Sequence, residues 1–109
     1  MFLKEFRFKR KLRKVRAKFS DHLKQVGYDV YVKEMTRLKG DYKILFLLQT
    51  PTEAEKNRIE NDSDIENALE GIFFNNFGVK FQKSKNMYWV LSQEHVYQHF
   101  GGDWHKAVQ

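Results

Sequence analysis

The chain has 109 residues and no cysteine, which excludes disulfides and thiolate-bound zinc. Its six glycines are scattered, apart from the adjacent Gly101 and Gly102, so no glycine-rich phosphate loop is present. Long apolar runs are also missing. The longest spans Ile44 to Leu48, whereas a transmembrane helix needs about 20 residues. The basic start is not followed by the apolar stretch of roughly 7–15 residues that a secretory signal carries. The chain therefore reads as mature, soluble and cytoplasmic. Acid is nearly absent from the first eighteen residues, where Glu5 stands alone.

What fills that start is base. Lys4, Arg7, Lys9, Arg10, Lys11, Arg13, Lys14, Arg16 and Lys18 account for nine of the 20 Lys and Arg residues. The remainder of the chain carries slightly more acid than base, so the formal charge of +6 originates at one end. A positive field this concentrated attracts polyanions. Apolar content of 41% and aromatic content of 16% argue against a disordered chain.

The spacing predicts a single domain over residues 1–109, of α+β class, with elements in the order α-β-β-α-β-β-α. Phe8, Leu12, Val15, Phe19, Leu23 and Val26 recur at steps of three and four, tracing one stripe of a helix that Gly27 closes. Phe2 and Phe6 fall off that stripe. Residues 1–7 are therefore either an extended arm or edge strand, or helical with their rings projecting outward.

Residues 28–38 and 42–49 read as an antiparallel hairpin turning at Lys39-Gly40-Asp41, with the second strand inside the sheet. Thr50-Pro51-Thr52-Glu53 signals a helix start with Thr50 as cap, and Ser63 with Glu66 signals a second. Residues 79–82 and 87–91 read as another hairpin through Lys83-Ser84-Lys85-Asn86. Ser92 caps a last helix, and 103–109 form a short tail. The expected architecture is an antiparallel sheet with helices packed mainly on one face.

Four groups of residues are candidates for function. The first is the cationic set Arg7, Lys9, Arg10, Lys11, Arg13, Lys14, Arg16 and Lys18. These residues surround the apolar seam and suit the phosphates of DNA or RNA. Lys80, Lys83 and Lys85 extend the patch if their turn lies nearby. The competing readings are a solvated face neutralised by the acids of 53–70, and a helix lying on an anionic bilayer.

The second group is His95, His99 and His105. With Gly102 they give H-x-x-x-H-x-x-G-x-x-H, which resembles the zinc-binding motif of the metzincin proteases. That resemblance implies three zinc-ligating imidazoles with Gly102 at the bend. The general-base position holds Val96 rather than glutamate, and Glu94 points about 100° away on a helix. The reading is therefore not a protease. No cofactor or metal is expected, and polar surface histidines are the ordinary alternative.

Aromatic residues make the third group, since Tyr31, Phe81, Tyr88, Trp89 and Trp104 can include a base-stacking platform. Phe77-Gly78-Val79-Lys80-Phe81 faintly resembles the aromatic strand motif of RNA-recognition domains, one residue short. Core packing is the plainer role for these rings. The last group offers no enzyme chemistry. Ser20-Asp21-His22 are neighbours on a helix rather than a relay, and Asp62 and Asp64 suit a helix start.

The expected function is that of a small, non-enzymatic, nucleic-acid-binding accessory protein. The alternative is a protein-interaction module, an inhibitor or adaptor of the kind plasmids and phages carry. It would use the basic helix or Phe2 and Phe6 against a protein partner.

Overall fold

Between residues 2 and 26 there is no glycine or proline, and Val15 and Val26 are the only β-branched residues. Long unbranched Lys, Arg and Leu side chains lose little freedom in a helix. Helix α1 accordingly runs from Phe2 to Val26. Over residues 2–7 the extended alternative gives way to helix, because local propensity outweighs the two-residue alternation of the Phe rings. Gly27 ends the helix at a φ of 104°, and its N–H and that of Tyr28 both close on the Leu23 carbonyl. The computed structural model describes the backbone of residues 2–39, 42–79 and 87–109, and side chains within 6–35, 44–79 and 87–109.

Strands β1 (Tyr31–Lys39) and β2 (Tyr42–Thr50) pair antiparallel, with Tyr31 opposite Gln49 and a register shift between Glu34 and Arg37. Helices α2 (Glu53–Glu60) and α3 (Ser63–Phe77) follow, then β3 (Tyr88–Ser92), α4 (Gln93–Phe100) and α5 (Trp104–Ala107). β3 lies beside β2 in parallel, so the sheet has the order β1-β2-β3 and is mixed rather than antiparallel. The α2–α3 segment is the crossover that a parallel pair requires. The strand expected over 79–82, its turn, and the 40–41 turn lie wholly or mostly outside the described residues. The residues expected as a tail contain α5, capped by Asp103.

The sheet separates two apolar clusters. On one face Leu12, Val15, Phe19 and Leu23 of α1 meet Val32, Phe46, Leu48 and Val90 of the strands, with Ile59, Ile65, Leu69 and Phe73 of α2 and α3. On the other, Leu47 and Leu91 meet Val96 of α4 and Ala107 of α5. Helices α1, α2 and α3 thus share a face, but α4 and α5 cover part of the opposite one. Val26, expected on the buried stripe, is 50% exposed, since the chain turns away at Gly27.

Capping differs in detail from expectation. Thr52, not Thr50, accepts the Glu55 N–H. Thr50 is the buried last residue of β2, and its hydroxyl donates to the Thr52 carbonyl. Asp62, not Ser63, caps α3 by accepting from the Asp64 N–H. Ser92 caps α4 as expected, accepting from the His95 N–H at 2.9 Å.

Asp62 also accepts a 2.6 Å hydrogen bond from the Tyr28 hydroxyl. That bond, then burial and the carboxylate charge, push the Tyr28 phenol up to about 12. Burial, followed by the charges of Glu66, Asp62 and Glu60, pushes Tyr88 up to about 12 as well. Both groups hold their protons more tightly folded than unfolded. Their contribution is complete below about pH 10 and is lost as pH rises toward 12. Urea midpoints measured across that interval are expected to fall, and Tyr28→Phe is expected to shallow the decline. An equally steep decline in Tyr28→Phe contradicts this assignment.

Candidate nucleic-acid interface

A residue on an α-helix turns about 100° from its predecessor. With Leu12 at zero, the buried Val15, Phe19 and Leu23 fall within about 60° of it. Arg13, Arg10 and Lys14 lie at roughly 100°, 160° and 200°, on the face pointing away from the sheet. Arg7, Lys9, Arg10, Lys11, Arg13, Lys14 and Lys18 are all exposed. Arg16, on the flank toward β1, is half-buried and its Nε lies 3.4 Å from Glu34 Oε1. On the other flank, Lys11 Nζ stands 5.8 Å from the centre of the Phe77 ring.

Four of the seven acids of 53–70 have partners outside α1. Glu53 and Glu60 both approach Lys56, at 3.7 and 3.8 Å, Glu55 pairs with Arg58, and Asp62 holds Tyr28. Among the described residues, Arg16 is the one cation of the α1 set with an ion pair. Phe8 and Lys11, early in α1, meet Phe77 at the end of α3. Phe6 lies on the same outer face and is 58% exposed, as the outward-projecting alternative expects; the side chain of Phe2 lies outside the described residues.

The remaining sequence candidates separate. The His95 and His99 rings are 4.4 Å apart, and His95 Nδ1 is 3.4 Å from Glu53 Oε1, which also accepts from the Ser92 hydroxyl. His105 belongs to α5 and does not join them. Among the described residues, no three His, Cys, Asp or Glu side chains are placed to hold a metal. Val96 is fully buried in the second cluster, so the metzincin-like spacing serves a capped helix packed on the sheet. Tyr88 and Trp89 pack against the two cores, whereas Tyr31 is 62% exposed. Phe81, Lys80, Lys83 and Lys85 lie outside the described residues.

Strand pairing also creates a feature that local reading missed. Tyr31 of β1, Gln49 of β2, Gln93 of α4 and Trp104 of α5 line a cleft of about 330 Å³. Its one signal in the sequence is Tyr31, an aromatic residue on the outward side of an alternating strand.

No protein-family model matches the chain, and no curated protein or solved structure matches it. Among the described residues, no helix is long and apolar enough to cross a membrane.

Proposed function

We propose that the protein binds nucleic acid through the outer face of α1, contacting phosphates chiefly without reading base sequence. The reading is carried by seven exposed cations of α1 that have no ion pair among the described residues. Their position adds a second argument. Most stand in the first half of the helix, whose N-terminal end is already the positive pole of its dipole. Bound phosphates relieve both sources of repulsion. The apolar stripe is committed to the sheet, which leaves little for insertion into a bilayer.

Binding measured against duplex DNA, single-stranded DNA and RNA across a salt series tests the proposal. Each phosphate contact on a duplex contributes about −0.9 to the slope of log K against log salt. Three to seven contacts therefore give slopes between roughly −3 and −6. Absence of binding to every one of these polymers at low ionic strength overturns it.

One residue modulates the face from outside. Glu34 neutralises Arg16, and one of its oxygens is buried without a hydrogen bond. Glu34→Gln is expected to release Arg16 and raise affinity severalfold, with a steeper salt slope by about one contact. Unchanged affinity in that variant places Arg16 outside the interface.

Phe6 supports a second reading. An exposed ring among cations also suits an acidic protein partner with an apolar pocket, as an inhibitor or adaptor would engage. Competition by unrelated duplexes separates the two, because phosphate contacts tolerate any sequence.

A further inference from the structure

We infer that the cleft between β1 and the α4–α5 pair is a separate site for a nucleobase, with Tyr31 and Trp104 as its aromatic walls and Asp29, Gln49 and Gln93 as its polar edge. It opens at the carboxyl ends of the parallel strands β2 and β3, beside Gln49 and Thr50. Its volume of about 330 Å³ falls at the small end of ligand sites and suits one planar ring.

The walls differ in rigidity. Trp104 packs on the second cluster, which fixes one side. Tyr31 is 62% exposed and can close over a ring lying against Trp104. The polar groups are free to recognise an edge. Among the described residues, the Asp29 carboxylate, the Gln49 and Gln93 amides, the Tyr31 hydroxyl and the Trp104 indole N–H have no hydrogen-bond partner. An acidic group in a cleft lined by no cation disfavours phosphate and selects N–H donors. Carboxylates accept from the exocyclic amine of cytosine, so bases carrying an amino group fit better than uracil.

The same chemistry is presented by a free nucleoside and by a base on a bound strand. Nitrogen-edited NMR of the whole protein, titrated with cytidine and with uridine, reads the site directly through the Trp104 indole and the Gln49 and Gln93 side-chain amides. Cytidine is expected to shift these signals saturably and more tightly than uridine. Tyr31→Ala, at an exposed position, is expected to weaken cytidine roughly tenfold. A ten-residue oligocytidine identifies the source: movement of the same signals at lower concentration assigns the site to bases of a strand, and movement with cytidine alone assigns it to free nucleoside. Absence of a saturable shift, equal binding of cytidine and uridine, or an unchanged Tyr31→Ala value overturns the site. The cytidine and uridine results do not depend on α1, so the cleft and the phosphate-binding face stand or fall separately.

Discussion

Reversing Arg10, Arg13 and Lys14 together to Glu is expected to reduce affinity for DNA or RNA on the order of a hundredfold or more at 0.1 M salt. The salt slope is expected to flatten by about 2.7, the share of three phosphate contacts. All three side chains lie on the outer face of α1, exposed, and none has an ion pair or hydrogen bond among the described residues. Their loss removes nothing from the interior. The helix stripe still docks, and the relief of like-charge repulsion along α1 offsets any loss of helix propensity. Circular dichroism and the urea midpoint should therefore match those of the parent protein. The triple reversal cancels a formal charge of +6, and proteins near zero net charge associate. The neutral variant Arg10→Gln, Arg13→Gln, Lys14→Gln keeps +3 and separates lost contacts from precipitation. If both variants bind as the parent does, the phosphates are not met by this face.

That expectation depends on a part of the fold that local sequence pattern describes well. The stripe Leu12, Val15, Phe19 and Leu23 is buried as its spacing requires, and the alternation of Tyr28, Val30 and Val32 against Asp29, Tyr31 and Lys33 holds. Both are consequences of side-chain periodicity, which is a property of neighbours along the chain. β2 sits between two strands, as its unbroken apolar run suggests. The parallel pairing of β3 is a different kind of fact. Met87–Leu91 looks alike whether it answers a preceding strand or β2, and its direction is decided by where the α2–α3 crossover delivers it.

Caps were displaced by one or two residues for a related reason. Thr50, Thr52, Asp62 and Ser63 are all competent caps, and which of each pair serves is decided by the placement of the sheet and the loops. Thr50 is claimed by β2. Asp62 is doubly useful, because it serves both α3 and Tyr28. The candidate sites follow the same division. The basic face of α1 is visible in one helical wheel. The pairing of Arg16 with Glu34 and the cleft beside Tyr31 require β1, α4 and α5 to be placed first.

Phe19→Ala is expected to produce the largest loss of stability of any change considered, and comparison with Phe6→Ala makes the measurement decisive. The two phenylalanines occupy one helix and opposite faces. Phe19 is 0% exposed, with ring centroids 6.1 Å from Phe46 and 6.0 Å from Tyr88, and it joins α1 to the centre of the sheet. Removing a buried Phe costs about 3–5 kcal/mol from lost transfer energy and the cavity left behind. Small domains have about 5–15 kcal/mol in all, so the urea midpoint should drop by roughly a fifth or more. Phe6 is 58% exposed, and its truncation should change stability by no more than about 0.5 kcal/mol. Equal, small effects at both positions mean that α1 is not docked through the Leu12–Leu23 stripe. The cations would then have no fixed outward direction, and the case for a phosphate-facing surface would lose its geometry. A large loss at Phe19 alone fixes which side of α1 the domain holds, and with it which side is left for a ligand.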